Sequence, residues 1–314
     1  MTEPKKITWP EGKQFAFTVF DDTDFATLEN VGPVYAFLAD CGMPTTKSIW
    51  VVDGDPAQRV PGRGGSTCQD PEHLRWLLDL QSKGFEIGWH SASWNGLPRE
   101  QVRAALDRFA ELFQHPPATA ANHSFLEGIY WGEARVSAWR RLLYGLLTRF
   151  RRRGRYRGHV EGDPYFWGDL CRERIKYYRN FVFHEINTLK ACPLMPYHDA
   201  QRPWVNYWYA SSDGNRVQRF NRCIAEAAQD RLEEEGGACI MYTHFACGFA
   251  EQGRVEPRFR ALMERLARKN GWFVPVATLL DHLLELRGRR EISAVERRRL
   301  ECRWLWEKIF TGTD

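Results

Sequence analysis

A chain of 314 residues with 43% hydrophobic and 14% aromatic content, thirteen tryptophans among them, can build one large core and an aromatic-lined cleft; its length suits a single α/β barrel as well as two average domains. The formal charge of +4 and the lack of a recognised binding module set nucleic acid aside as a partner, and eight scattered cysteines with no CxxC pair remove zinc-finger and thioredoxin-like readings and fit reduced thiols. The opening MTEPKKITWPEGKQ lacks an apolar secretory core, and no window holds the roughly 18 apolar residues of a membrane span, so the expectation is a cytoplasmic protein.

In chain order, FAFTVF (15–20) reads as a buried strand that runs directly into Asp21, Asp22 and Asp24. A helix over 29–42 ends at Gly42, and TKSIWVV (46–52) is the next strand. Asp70 as N-cap, Pro71 at the first helical position and Gly84 as C-cap delimit a helix before the strand FEIGW (85–89). PREQVRAALDRFAELFQ (98–114) carries apolar residues at 102, 105, 106, 109, 112 and 113, a period near 3.6, and leads to the strand ATAAN (118–122). Between about 126 and 180 the rhythm breaks, which predicts an insertion over one face. NFVFHE (180–185), VNYWYA (205–210), ACIMYTH (238–244) and WFVPV (272–276) are the remaining strands, and a second basic, Trp-containing helix closes the chain. The alternation predicts a parallel sheet or barrel over 1–285 and a helical tail over 286–314.

Parallel α/β folds gather function where strands hand over to the following loops. Here those positions hold the aspartate cluster, His90, Asn122 and His123, His184 and Glu185, Asp213, and His244. A carboxylate with several imidazoles is a donor set for a divalent metal and leaves groups over for proton transfer. Of Asp21 and Asp22, strand alternation turns one inward. Asp24 reads as a loop or capping residue, and His159, His198 and Asp199 read as structural. Trp94, Tyr207, Trp208 and Tyr209 near the same strand ends offer flat apolar faces to a ligand, or simply core.

These residues carry a resemblance. FTVFDDTD resembles the Thr-Phe-Asp-Asp-Gly motif of the polysaccharide deacetylase superfamily, the family of the nodulation-type chitooligosaccharide deacetylases; FEIGWHSASW resembles its second motif, and CIMYTHF its last. The resemblance implies a distorted (β/α)7 barrel, here with a long insertion and a C-terminal helical tail. It makes Asp21 the general base, His244 the general acid, and Asp22 and His90 ligands of a divalent metal, zinc foremost. Two departures matter: Trp94 stands where the second motif has its second His, and NHSF replaces the Arg-x-Pro-Tyr motif. His123 is therefore the expected third ligand, with Trp94, Asn95, Asn122, Trp208 and Asp213 around the substrate. The implied activity is hydrolytic removal of an N-acetyl group from a sugar in cytoplasmic glycan or lipid-linked saccharide assembly. The alternatives are metal-independent hydrolysis of another C–N amide and a catalytically silent carbohydrate-binding or scaffold protein.

The stretch 140–159 holds eight arginines and no acid, with Trp139, Leu142, Leu143, Leu146, Leu147 and Phe150 at helical spacing. Two partners suit it, an anionic membrane surface at the inner face of the membrane or a diphosphate-linked sugar held through Arg140–Arg157, while the structural reading packs the helix on the barrel with a solvated arginine end. Oligomeric state is open in the sequence.

Overall fold

The computed structural model describes residues 7–55, 64–151 and 153–311. Strand and helix alternate as β1 (Phe15–Asp21), α1 (Leu28–Asp40), β2 (Thr46–Trp50), α2 (Pro71–Ser82), β3 (Glu86–Ser91), α3 (Arg99–Phe113) and β4 (Thr119–Ala120). An excursion with α4 (Trp139–Leu147) and α5 (Gly168–Arg174) follows, then β5 (Tyr177–Phe183), α6 (Thr188–Ala191), β6 (Tyr207–Asp213), α7 (Val217–Cys223), α8 (Glu226–Glu235) and β7 (Ala238–Thr243). A short antiparallel pair, β8 (Ala250–Glu251) and β9 (Arg254–Val255), precedes α9 (Pro257–Ala267), β10 (Gly271–Phe273), α10 (Val276–Arg287) and α11 (Ala294–Thr311).

β1 to β7 are parallel in sequence order, and β1 pairs with β7 to close a seven-stranded barrel. Closure is distorted between β1 and β2. They pair only at Phe20↔Thr46 and Asp21↔Lys47, and the earlier half of that edge of β1 is taken by β10, through Phe15↔Gly271 to Phe17↔Phe273. The expected (β/α)7 architecture is thus present, with the eight expected strands in place. β4 is shorter than ATAAN suggested because the Asn122 side chain leaves the ladder, its Oδ1 accepting from Ile129 N (2.7 Å) and its Nδ2 donating to Ile129 O (3.0 Å). β5 starts at Tyr177, so the last residues of the expected 126–180 insertion are strand.

Alternation along β1 separates two layers. Phe15, Phe17 and Val19 pack in one apolar cluster with Val34, Tyr35 and Leu38 of α1, while Ala16 and Phe20 belong to the other, which fills the barrel. Local signals set the helix ends: the Asp70 carboxylate accepts from Glu72 N (2.9 Å) and His73 N (3.2 Å) at the start of α2, and Gly84 takes φ +86° after it, a conformation that favours glycine.

The excursion and the C-terminal helix are one structure across the barrel mouth. Tyr144 of α4 stacks on Trp304 of α11 (centroids 5.8 Å, 21°), and fully buried Glu301 accepts from Arg140 Nε (2.5 Å), Arg202 Nη2 (3.0 Å) and Ser137 N (3.0 Å). Asp199 joins the same network through Arg202 and Arg297. A buried carboxylate between two guanidinium groups costs little only while all partners remain, so these pairs pin α11 in one position.

Candidate active site at the barrel mouth

The side-chain alternation of β1 continues past its end. Asp21 points into the layer between sheet and helices: its Oδ2 lies 3.0 Å from Lys47 Nζ and accepts from Tyr35 Oη (3.0 Å), and its Oδ1 accepts from Phe245 N (2.7 Å). Asp21 and Lys47 are both 0% exposed, so this carboxylate has no path to a substrate. Asp22 points the other way, to the barrel axis, where Arg179 of β5 donates from Nη1 (2.8 Å) and Nη2 (2.5 Å) to its two oxygens. The guanidinium lies over Tyr242 (4.3 Å to the ring centroid) and Phe20 (5.1 Å), which fixes its orientation. Burial works against the charge on Arg179, but Asp22 outweighs it and raises the pKa further.

Asp24 is the centre of the mouth. Its Oδ1 lies 2.7 Å from His123 Nε2, and its Oδ2 lies 2.9 Å from His90 Nε2 and 3.3 Å from His244 Nε2. These imidazoles come from the ends of β3, β4 and β7, so three strand-to-loop junctions aim at one carboxylate. Burial raises the Asp24 pKa, yet the charges of His123 and His90 and the hydrogen bonds from His123 and His244 outweigh it and hold the carboxyl well below the ordinary value. At His244 burial lowers the pKa, and the Asp24 hydrogen bond, the charges of Asp24 and Asp22 and the Asn215 carbonyl outweigh it, pushing it up to about 9. His244 Nδ1 lies 3.2 Å from that carbonyl, which fixes the ring. The Asp24, His90 and His123 donor atoms all lie within 4.8 Å of one another, as do those of Asp22, Asp24 and His244.

These groups line a cavity of about 450 Å³. Asp22, His90, His123, His244, Trp94 and Asn122 meet there; Asp21, Asn95, Trp208 and Asp213 do not. Asn95 is buried in the turn after β3 with Ser93 (2.8 Å), and Trp208 packs inside the barrel on Tyr178 and Tyr130. Asp213 accepts from Arg219 Nη1 (2.8 Å), and His184 lies 3.1 Å from Glu307 of α11. Asn122 lines the cavity but its amide is spent on Ile129, so it shapes the His123 loop. His159, half-buried with its pKa lowered to about 4 by that burial, accepts from Tyr130 N, and His198 Nδ1 lies 3.0 Å from Asn206 O.

Sequence reasoning left out four contributors. Asp24 looked like a capping residue, although two positions beyond Asp22 it keeps the same inward sense. Arg179 was signalled by a lone charge inside the apolar strand YYRNFVF, which calls for a buried anion. Arg135 and Lys308, from the excursion and from α11, also line the cavity, and nothing local in the sequence brings them to the mouth.

No family model and no curated protein matches the sequence. Among solved structures, the chain is similar in fold to the "probable polysaccharide deacetylase" from Pseudomonas aeruginosa PAO1, at 12% identity and a TM-score of 0.51, covering 91% of this chain and 96% of that one. It is likewise similar to Puue allantoinase, at 12% identity and a TM-score of 0.51, covering 91% and 95%. The likeness runs over nearly the whole of each chain and is one of fold: the barrel is of the kind seen in these polysaccharide deacetylase and allantoinase structures.

Proposed function

We propose that the protein is a metal-dependent hydrolase that removes an N-acetyl group from a sugar, with Asp24, His90 and His123 as metal ligands, Asp22 as general base and His244 as general acid. The observation that carries this reading is the convergence of three imidazole Nε2 atoms on the Asp24 carboxylate. One carboxylate oxygen and two imidazole nitrogens within 4.8 Å of one another fit a divalent transition ion, zinc first among those to test. His90 also has Asp22 Oδ1 at 3.9 Å from its Nδ1, on the side where a ligating imidazole usually finds a carboxylate. A cation held there supplies Lewis-acid polarisation of an amide oxygen and a water of lowered pKa.

The remaining chemistry belongs to the chain. Asp22, aimed by the two N–H groups of Arg179, takes a proton from the water that attacks the carbonyl carbon. His244 gives its Nε2 proton to the departing nitrogen as the C–N bond breaks, leaving acetate and an amine. This assignment moves the base from Asp21 to Asp22 and the carboxylate ligand from Asp22 to Asp24, because Asp21 is committed to Lys47 in the layer outside the barrel.

Trp94 and Trp131, both half-buried, line the cavity and give a sugar flat faces to lie on. The same cavity has a cationic wall: Lys308, only 4% exposed and without an ion pair among the described residues, with Arg135 and Arg155. That wall supports an N-acetylated sugar bearing a phosphoryl or carboxylate group, of the kind glycan assembly handles. Of the expected Arg140–Arg157 set, Arg155 reaches the cavity, Arg140 is held by Glu301, and Arg152 lies outside the described residues.

A second reading, metal-independent hydrolysis of another C–N amide, is favoured by Trp94 at the position where the related motif has a ligand. Acetate release from N-acetylated sugar phosphates and from their uncharged counterparts tests both. The expected result is turnover that chelation abolishes, that favours the charged substrates, and that falls by about 10²–10⁴-fold in His244→Ala. Acetate release indifferent to chelation would take the metal out of the mechanism, and no acetate release from any of these sugars would favour another C–N amide.

A further inference from the structure

Helices on the surface of a folded domain turn leucines inward and arginines outward, and α4 does so only in part: Leu143 and Leu147 pack on the core and Arg141 is exposed, but one arginine and two leucines are reversed. Arg140 is 6% exposed and bonded to Glu301, whereas Trp139, Leu142 and Leu146 are 56%, 60% and 59% exposed. Phe150, just beyond the helix, is 40% exposed. The end of α11, the helix packed against α4, repeats the pattern with Trp306 at 66% and Phe310 at 72%. A single exposed leucine requires no explanation, but large apolar side chains clustered on two packed helices mark a surface that meets something apolar.

The charge next to this face restricts what that is. Arg149, Arg151 and Arg153 follow α4 directly, are exposed and make no ion pair among the described residues, and no acid occurs between Glu133 and Glu161. A second copy docking by a two-fold contact would crowd both copies of this acid-free arginine cluster into one interface, because such an interface presents the same patch on both sides. An anionic lipid surface offers both an apolar layer and phosphates above it. No helix among the described residues is long and apolar enough to cross a membrane, so the fitting geometry is a helix lying in the interface.

We propose that α4 and the end of α11 form a docking surface for an anionic lipid bilayer, with Trp139, Leu142, Leu146 and Phe150 entering the interfacial layer and Arg149, Arg151 and Arg153 meeting the lipid phosphates. Tyr144 of α4 and Trp304 and Lys308 of α11 also line the catalytic cavity. Docking therefore sets the cavity beside the headgroup layer, where an acylated sugar on a lipid carrier would be presented.

The test is co-sedimentation of the full chain with phosphatidylcholine vesicles, with and without phosphatidylglycerol, at low and high salt. The expected result is binding only to the anionic vesicles, weakened by salt. Leu142→Gln with Leu146→Gln should weaken it at least about tenfold, and Arg149→Gln with Arg151→Gln about fivefold per arginine. All four side chains are solvent-facing, so an unchanged thermal melt separates lost binding from lost folding. The proposal is overturned by a wild type that ignores anionic vesicles at low salt, by leucine variants that bind as well as wild type, or by a wild-type dimer that the leucine variants dissociate, which would make the occupant a second copy. Vesicle binding does not read the hydrolytic reaction, so it stands or falls separately from the proposed chemistry.

Discussion

Asp21 and Asp22 are neighbours in the chain and belong to different regions of the molecule. Asp21 lies in the layer between sheet and helices, where Lys47, Tyr35 and a backbone N–H close around it; Asp22 lies in the barrel mouth, where Arg179 holds it beside three imidazoles and a second carboxylate. In the outer layer the charges cancel in a closed pair with nothing left to do. In the mouth, Asp24 gathers donors from three strand ends at the edge of a cavity. Asp21 and Asp22 themselves are buried nearly alike, at 0% and 4% exposed, so burial alone does not mark function. What separates them is whether the charged groups face a space a ligand can enter.

Substitutions can break that comparison in order of expected effect. Asp22→Asn removes the proton acceptor and should lower turnover by about 10²–10⁴-fold, measured as acetate release. Near-normal turnover would show that the base lies elsewhere. Asp21→Ala should act on stability, because it leaves the Lys47 ammonium buried without its anion; a loss of about 3–5 kcal/mol is expected in urea unfolding, with bound metal retained in the protein that stays folded.

The outer layer also sets a pH dependence that the mouth does not need. His73 of α2 is buried, and burial together with the charge of Lys47 lowers its pKa to about 4, below an ordinary value of 6.5. The unfolded chain therefore binds this proton more readily, so the stability contribution is complete above about pH 6.5 and is lost as pH falls through about 4. At 1.36 kcal/mol per unit this amounts to roughly 3 kcal/mol. His73→Phe should flatten the urea midpoint between pH 7 and pH 4; an equally steep loss in the variant would place the acid sensitivity in the other buried groups.

The sequence made the scaffold legible because each strand is an apolar run and each helix carries its own period and caps, as with Asp70, Pro71 and Gly84. It also brought His90, His123 and His244 to one end of the barrel. It did not say which of Asp21 and Asp22 faces in, since alternation fixes only that they differ; matching the motif position by position assigns roles to Asp21 and Asp22, whereas the carboxylates that line the cavity are Asp22 and Asp24. Asp24 reads as a loop residue because it lies past the strand, where alternation is usually lost; here the loop preserves it and turns the carboxylate towards His90, His123 and His244. The excursion was the least legible part. Arg140 finds Glu301 across the chain, and with that arginine turned inward Trp139, Leu142 and Leu146 are left exposed, an orientation no local pattern contains.

The central claim is that the metal-binding carboxylate is Asp24 in the mouth and not Asp21 in the outer layer. Metal content by mass spectrometry, on wild type, Asp24→Asn and Asp21→Asn purified without a histidine tag and incubated with zinc, tests it most directly. The account predicts about one divalent ion per chain in wild type and Asp21→Asn and none in Asp24→Asn. Metal that persists in Asp24→Asn, or a wild type that takes up none, would contradict it.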